Sequence, residues 1–261
     1  MVNKIGFPSL GLEFNVNRVA FTVFGKEIYW YALIIMTGFA LGVLYAMYRA
    51  KKNHVKTDHI YDISFWGLLA GIVCARIYYV IFDPNCLNDN FLNIFKIWEG
   101  GIAIYGGLIG AVASTLIYCK IHKLRVLKIF DICAPSLLIG QIIGRWGNFV
   151  NAEVYGGETN LPWRMTINSR AGVHPLFLYE SLWNLLGFLL ILFLEKKKKR
   201  HGEVFFFYCL WYASGRLVLE GMRQSQYILW LISGVLGISQ LVALLVIIVS
   251  AAALVVLRKK K

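Results

Sequence analysis

Apolar positions in this chain come in blocks about as long as a membrane is thick. They fall at 29–48, 62–82, 101–119, 129–146, 175–194, 204–222 and about 236–257, each near the roughly 20 residues that a helix needs to cross a hydrocarbon core. The pattern predicts an all-α integral membrane protein with seven transmembrane helices. The last apolar run begins near Tyr227 and is too long for one upright helix. Its first part, YILWLISGVLGIS, is expected to lie in the interface or re-enter, and the rest to span. An eight-span count is the alternative. Two sizeable pieces stay outside the spans, the first 28 residues and the stretch 147–174. In the second, Pro, Asn and Gly predict turns with a short strand. Without a fixed repeat or a break in composition, residues 1–261 read as a single polytopic membrane domain with a small external segment.

Composition agrees. Hydrophobic residues make up 58% and the mean hydropathy is +0.62, above the roughly 45–50% apolar content of soluble domains. Charge then orients the helices. The formal net charge of +13 is concentrated in alternate loops: RAKKNHVK after the first span, Lys120, Lys123, Arg125 and Lys128 after the third, KKKKR after the fifth, and RKKK at the end. The intervening loops hold acids such as Asp83, Asp89 and Glu99. Basic loops stay in the cytoplasm, so the N-terminus is expected outside and the C-terminus inside. Seven spans satisfy every loop and eight do not. The same distribution reads as topological anchoring and attraction to anionic headgroups, not as nucleic-acid binding. No cleavable signal peptide is expected, since the first apolar block starts near residue 28 and is followed by basic residues. The five cysteines (74, 86, 119, 133 and 209) lack paired metal spacing. Four fall in or at the ends of apolar blocks, where cysteine acts as a small hydrophobe, and Cys86 falls in an outer loop. Neither a disulfide, a metal site nor a cofactor is expected.

Charged residues inside the blocks need a reason, because an arginine at the centre of a membrane helix costs at least about 2.5–3.5 kcal/mol. Arg76, Arg145 and Arg216 all fall toward the outer ends of spans two, four and six. One such arginine could snorkel to the headgroups, whereas three at similar depth point to a shared internal site. Glu220 is four residues after Arg216 and can pair with it on one helix face, with Arg223 seven after it. Glu153, eight past Arg145, is expected beyond the helix, and Glu180 in span five to join the polar site or its surroundings. Asp131 opens span four as an ordinary helix-start acid. Guanidinium groups recognise phosphate bidentately, so the cluster suggests a phosphorylated lipid headgroup, with Asn148 and Asn151 offering donors and acceptors to glycerol. The glycines of GGIAIYGGLIG (100–110) read first as helix packing, Gly106 and Gly110 among them. Gly106 also counts among the candidate lipid-binding residues. Tyr105 in that stretch is either an interfacial aromatic or a hydroxyl offered to the site. His54, His59, His122 and His201 are expected in cytoplasmic loops. His174 alone faces outward, either capping a helix or serving the site.

The stretch GRWGNFVNAEVYG (144–156) resembles the signature of the phosphatidylglycerol–prolipoprotein diacylglyceryl transferases. WYALIIMTGFALG, GGIAIYGGLIGA, HPLFLYES and YASGRLVLEGMR resemble the family's other blocks in the same order, so the resemblance covers nearly the whole chain. It implies a seven-helix enzyme of the bacterial cytoplasmic membrane with its active site toward the outer leaflet. Such enzymes move the diacylglyceryl group from phosphatidylglycerol to the lipobox cysteine thiol of a preprolipoprotein signal peptide, leaving a thioether and glycerol phosphate. By resemblance, Arg145 and Arg216 would bind the departing phosphate, and Asn148, Asn151 and Glu153 would position the glyceryl headgroup. Tyr31 and Tyr212 would line the lipid site, and Glu220 would orient Arg216.

At one position the chain departs from the family. Many members have His-Gly-Gly where Tyr105-Gly106-Gly107 stands, and that histidine is the favoured general base. Tyrosine is ordinarily a poor base at neutral pH. The preferred reading is that no protein base is needed: the substrate thiol, with a pKa of roughly 8.5, is activated by nearby guanidiniums. The rival function is a transporter or channel that binds an anion through its arginines, against which stand the missing internal repeat and the polar grouping at one leaflet. A non-catalytic lipid-binding scaffold would not need polar motifs converging from several helices.

Overall fold

The apolar blocks fold as helices. A computed structural model describes residues 2–82, 100–168, 171–232 and 234–259. Among these are seven long helices: α1 (Trp30–Lys52), α2 (Thr57–Phe82), α3 (Ile104–Ile121), α4 (Val126–Asn151), α5 (Leu176–Glu195), α6 (Glu203–Glu220) and α7 (Ile238–Lys259). Six are long and apolar enough to cross a membrane. The exception is α6, which carries Glu203, Arg216 and Glu220 within its 18 residues. The predicted outer-loop acids Asp83, Asp89 and Glu99, together with Cys86, lie outside the described residues.

The all-α expectation needs correcting at the N-terminus. Strand β1 (Val2–Phe7) pairs antiparallel with β2 (Leu12–Asn17). A further hairpin joins β3 (Val19–Val23) to β4 (Lys26–Tyr29). Its two-residue turn, Phe24-Gly25, has φ of 47° and 77°, the left-handed pair that matches strand twist in tight hairpins. The stretch 147–174 contributes the expected short strand, β5 (Thr166–Ile167), on the free edge of β1. The apolar run from Tyr227 forms a small hairpin of β6 (Trp230–Ile232) and β7 (Leu236–Gly237) before α7 begins. The fourth span is longer than predicted: α4 continues to Asn151, more than a turn past residue 146. Asn148 and Asn151 are therefore helical.

Two units emerge, residues 1–44 with 133–261 and residues 45–132, with both boundaries falling inside the continuous helices α1 and α4. In the first unit, glycines bring α1 and α4 together. A Cβ on Gly38 would lie 3.2 Å from the Gly140 carbonyl, and one on Gly42 would lie 3.0 Å from that of Ser136. Small residues allow this closeness, and dispersion between the helices is the return. Helices α5 and α6 are joined by two tryptophans. Trp183 and Trp211 stack with centroids 4.3 Å apart, and each indole N–H donates to the other's carbonyl at 3.0 Å. Each ring lies over the glycine opposite, Trp183 on Gly215 and Trp211 on Gly187. Gly215→Ala would push a methyl group into the Trp183 indole, at a cost of about 1–3 kcal/mol for such overpacking. A lower thermal midpoint in detergent is the expected result.

In the second unit, Gly106 and Gly110 bring α3 against α2. A Cβ on Gly106 would strike the Cys74 carbonyl and Tyr78, and one on Gly110 would strike the backbone of Ala70. Both glycines thus lie at the α2–α3 contact, as the packing reading expects. His59, expected in a loop, lies on α2, with Nδ1 3.0 Å from the Tyr118 hydroxyl, which donates to Asp62 at 2.6 Å.

Candidate active site

Three guanidiniums and two carboxylates of the first unit form one ion-pair network. Glu180, in the second turn of α5, is its centre. Its Oε2 pairs with Arg145 Nη2 of α4 at 2.5 Å, and its Oε1 with Arg223 Nη2 at 3.0 Å and Arg216 Nη1 at 3.9 Å. Glu220 completes the ring with Arg216 Nη2 at 3.0 Å and Arg223 Nε at 3.3 Å. The predicted i,i+4 pair on α6 is therefore present. Arg223 lies past the end of α6 and reaches the network from a turn that pairs with the segment after α4. Gly157 N–H donates to the Met222 carbonyl at 2.9 Å.

Helix-to-helix bonds fix the three helices that carry these groups. Ser181 Oγ donates to the Ile142 carbonyl at 3.1 Å, tying α5 to α4, and Gln141 Nε2 donates to the Tyr208 hydroxyl at 2.9 Å, tying α4 to α6. The network has three positive and two negative charges, one net positive charge in a low-dielectric place. Exposure divides its members. Glu220 and Arg223 have side chains 1% and 8% exposed, whereas those of Arg145 and Arg216 are 19% and 21% exposed and border a small cleft with Tyr212, Trp183 and Asn184. The last two guanidiniums are the ones a ligand can meet.

A second polar group sits at the end of α4. Glu153, just past the helix as expected, accepts at Oε1 from Asn148 Nδ2 at 3.2 Å and Asn151 Nδ2 at 3.3 Å, and its N–H donates to the Asn148 carbonyl at 3.1 Å. Tyr31 of α1 lies with its ring on Gly147, within electrostatic reach of both Arg145 and Glu153. His174 stands apart from the ion pairs. Its backbone bonds Gly156 and Gly157, and its Nδ1 lies 3.4 Å from the Tyr179 hydroxyl.

The remaining candidates belong to the second unit. Arg76 is buried; its Nη1 donates to the carbonyls of Gly100 and Gly101, both at 2.8 Å, and its guanidinium lies 5.5 Å from the Tyr79 ring centre. Tyr105 occupies the first turn of α3, four residues beyond Gly101. Gly106 serves the α2–α3 contact described above. Glu180 joins the ion pairs as expected, as their centre, and Arg223 joins them from beyond the end of α6. Both are charged residues in or beside apolar blocks, and that signal singles them out as clearly as it does Arg216.

The sequence profile of prolipoprotein diacylglyceryl transferases matches residues 18–256. The chain belongs to that family. Among similar proteins, one from Finegoldia magna is 44% identical over 234 residues, covering 89% of this chain and 92% of its own. One from Clostridioides difficile is 40% identical over 230 residues, covering 88% and 91%. One from Listeria innocua is 41% identical over 244 residues, covering 89% and 86%. All three carry the name phosphatidylglycerol–prolipoprotein diacylglyceryl transferase. Membership gives the α4 motif a context: Arg145, Asn148, Asn151 and Glu153 all lie inside the matched region, as do the rest of the ion pairs.

Proposed function

We infer that this protein transfers the diacylglyceryl group of phosphatidylglycerol to a prolipoprotein, the first step of bacterial lipoprotein maturation. The acceptor is the lipobox cysteine thiol of a signal peptide. Its sulfur, as thiolate, attacks the glyceryl carbon; the carbon–oxygen bond to phosphate breaks, a thioether forms and glycerol phosphate leaves. The departing phosphate changes from monoanion to dianion in that step. A preorganised cluster with a net positive charge stabilises the developing charge more than the starting charge, the condition for lowering a barrier. The guanidinium network around Glu180 is the observation that carries this reading.

Arg145 and Arg216, the exposed pair, bind the phosphate. Arg223, buried against both carboxylates, holds their charge in place. Asn148, Asn151 and Glu153 meet the glycerol hydroxyls, Tyr31 and Tyr212 line the lipid, and Glu220 orients Arg216. Arg76 shapes the entry to α3 where Tyr105 stands, and His174 supports the segment after α4. The thiolate is the nucleophile and the phenol of Tyr105 is not a required base.

The chain spans the cytoplasmic membrane seven times as one polytopic domain, with the N-terminus outside, the C-terminus inside and the site toward the outer leaflet. The alternation of basic loops supports that orientation, and the continuity of α1 and α4 supports the single domain. The test is transfer from phosphatidylglycerol to a lipobox peptide in vesicles containing the purified protein. Product formation is expected with the parent chain and with Tyr105→Phe. No product from folded, inserted parent protein would sink the enzyme reading, and loss confined to the Phe variant would make the phenol chemically necessary.

A further inference from the structure

The last carbonyls of a helix have no partners within it. At the end of α4, two are taken by side chains from the N-terminal strands. Arg18, between β2 and β3, donates Nη2 to the Asn151 carbonyl at 2.6 Å, and Asn3 of β1 donates Nδ2 to the Val150 carbonyl at 3.4 Å. Both donors are themselves anchored. The Arg18 carbonyl accepts from Trp30 N–H at 3.0 Å, and Asn3 Oδ1 accepts from Asn168 Nδ2 at 3.4 Å. A cation at a helix C-terminus is also favoured by the helix dipole.

The chain then leaves α4 in an uncommon way. Ala152 and Val154 have φ of 52° and 55°, a left-handed conformation that β-branched residues adopt only where their surroundings enforce it. Glu153 stands between them. Under this turn lies the external apolar core, in which Ile5, Tyr155, Ile167 and Phe177 pack with Phe149 and Ala152. Strand residues thus hold the helix end from one side and support the strained turn from below.

We propose that Arg18 is a positioning residue for diacylglyceryl transfer. Its guanidinium clamps the Asn151 carbonyl, so that the left-handed turn 152–154 presents Glu153 to the glycerol headgroup. It touches no substrate and acts through Asn151 and Glu153. The inference rests on the reading that Glu153 meets that headgroup, and the experiment separates the two.

Arg18→Ala, Arg18→Lys, Glu153→Gln and the Arg18→Ala/Glu153→Gln double variant are assayed in phosphatidylglycerol vesicles for kcat, KM and thermal midpoint. Arg18→Ala is expected to lower kcat at least about tenfold, as misplacement of a reacting geometry does, with little change in midpoint. Arg18→Lys keeps a cationic donor and restores most of the loss. The double variant is expected to be no slower than Glu153→Gln alone, since residues acting through one another are not additive. Parental kcat in Arg18→Ala beside an impaired Glu153→Gln would overturn the inference while leaving the headgroup reading intact. So would losses that multiply in the double variant. A fully active Glu153→Gln would remove the headgroup reading and the inference with it. Should Arg18→Ala not accumulate, Arg18→Met decides: it keeps much of the side chain's bulk and removes every donor to the Asn151 carbonyl, and a lowered kcat at an unchanged midpoint is expected. Parental kcat in Arg18→Met would overturn the proposal.

Discussion

Glu180→Gln is expected to cut turnover by about 10²-fold or more, the scale for removing a preorganised electrostatic partner, and to lower the thermal midpoint. Glu180→Ala will be worse on both counts. The reason is the count of charges around one carboxylate. Arg145, Arg223 and Arg216 approach its oxygens at 2.5, 3.0 and 3.9 Å, and its side chain is 7% exposed. Without its charge, three guanidiniums share only Glu220, and their mutual repulsion is poorly screened away from water. Breaking a buried ion network by removing one member costs about 3–5 kcal/mol. Gln keeps an oxygen acceptor and the packing of α5; Ala keeps neither. The measurement is transfer to a lipobox peptide alongside thermal unfolding in the same detergent. Parental values for Glu180→Gln in both would mean that the arginines are held by something other than this carboxylate.

Glu180 also shows where the sequence is legible and where it stops. A carboxylate in an apolar block is conspicuous, because the bilayer makes it expensive. That three arginines would converge on it is not visible, since the partners lie 35, 36 and 43 residues away along the chain and only the packing of α4, α5 and α6 brings them together. The i,i+4 pair of Arg216 and Glu220 was legible because helix geometry alone dictates it. The helices themselves were legible for a similar local reason, block length. The N-terminal strands were equally local: Leu12, Phe14 and Val16 alternate with Glu13, Asn15 and Asn17, the period of a strand. A search for membrane-length blocks passes over so short a pattern. Nothing local announces the left-handed turn at Ala152 and Val154, which have no glycine's freedom, nor the bond from Arg18 that secures it. Arg76 is a similar case. Its place near the end of an apolar block resembles that of Arg145 and Arg216 in the sequence, but nothing local announces that the carbonyls of Gly100 and Gly101 accept from it.

Arg216→Lys keeps the positive charge and is nevertheless expected to lower kcat/KM for phosphatidylglycerol by about 10²-fold. Arg216 divides its fork. Nη2 is committed to Glu220 at 3.0 Å, with Ser239 Oγ at 3.4 Å, whereas Nη1 stands 3.9 Å from Glu180. The loosely held nitrogen is the one that can turn to a phosphate oxygen while the other remains anchored. A lysine ammonium is a single point on a flexible stem and cannot hold Glu220 and a phosphate along two fixed directions. If it follows Glu220, which is 1% exposed, the phosphate loses its partner; if it follows the phosphate, Glu220 is left with Arg223 alone. Either outcome lowers the stabilisation of the departing dianion more than that of the bound diester, so the loss falls mainly on kcat. Arg216→Lys should therefore remain inserted, with a thermal midpoint near the parent's, and turn over slowly at saturating lipid. Full activity would show that charge alone suffices at this position and that no fork-like grip on phosphate is made there.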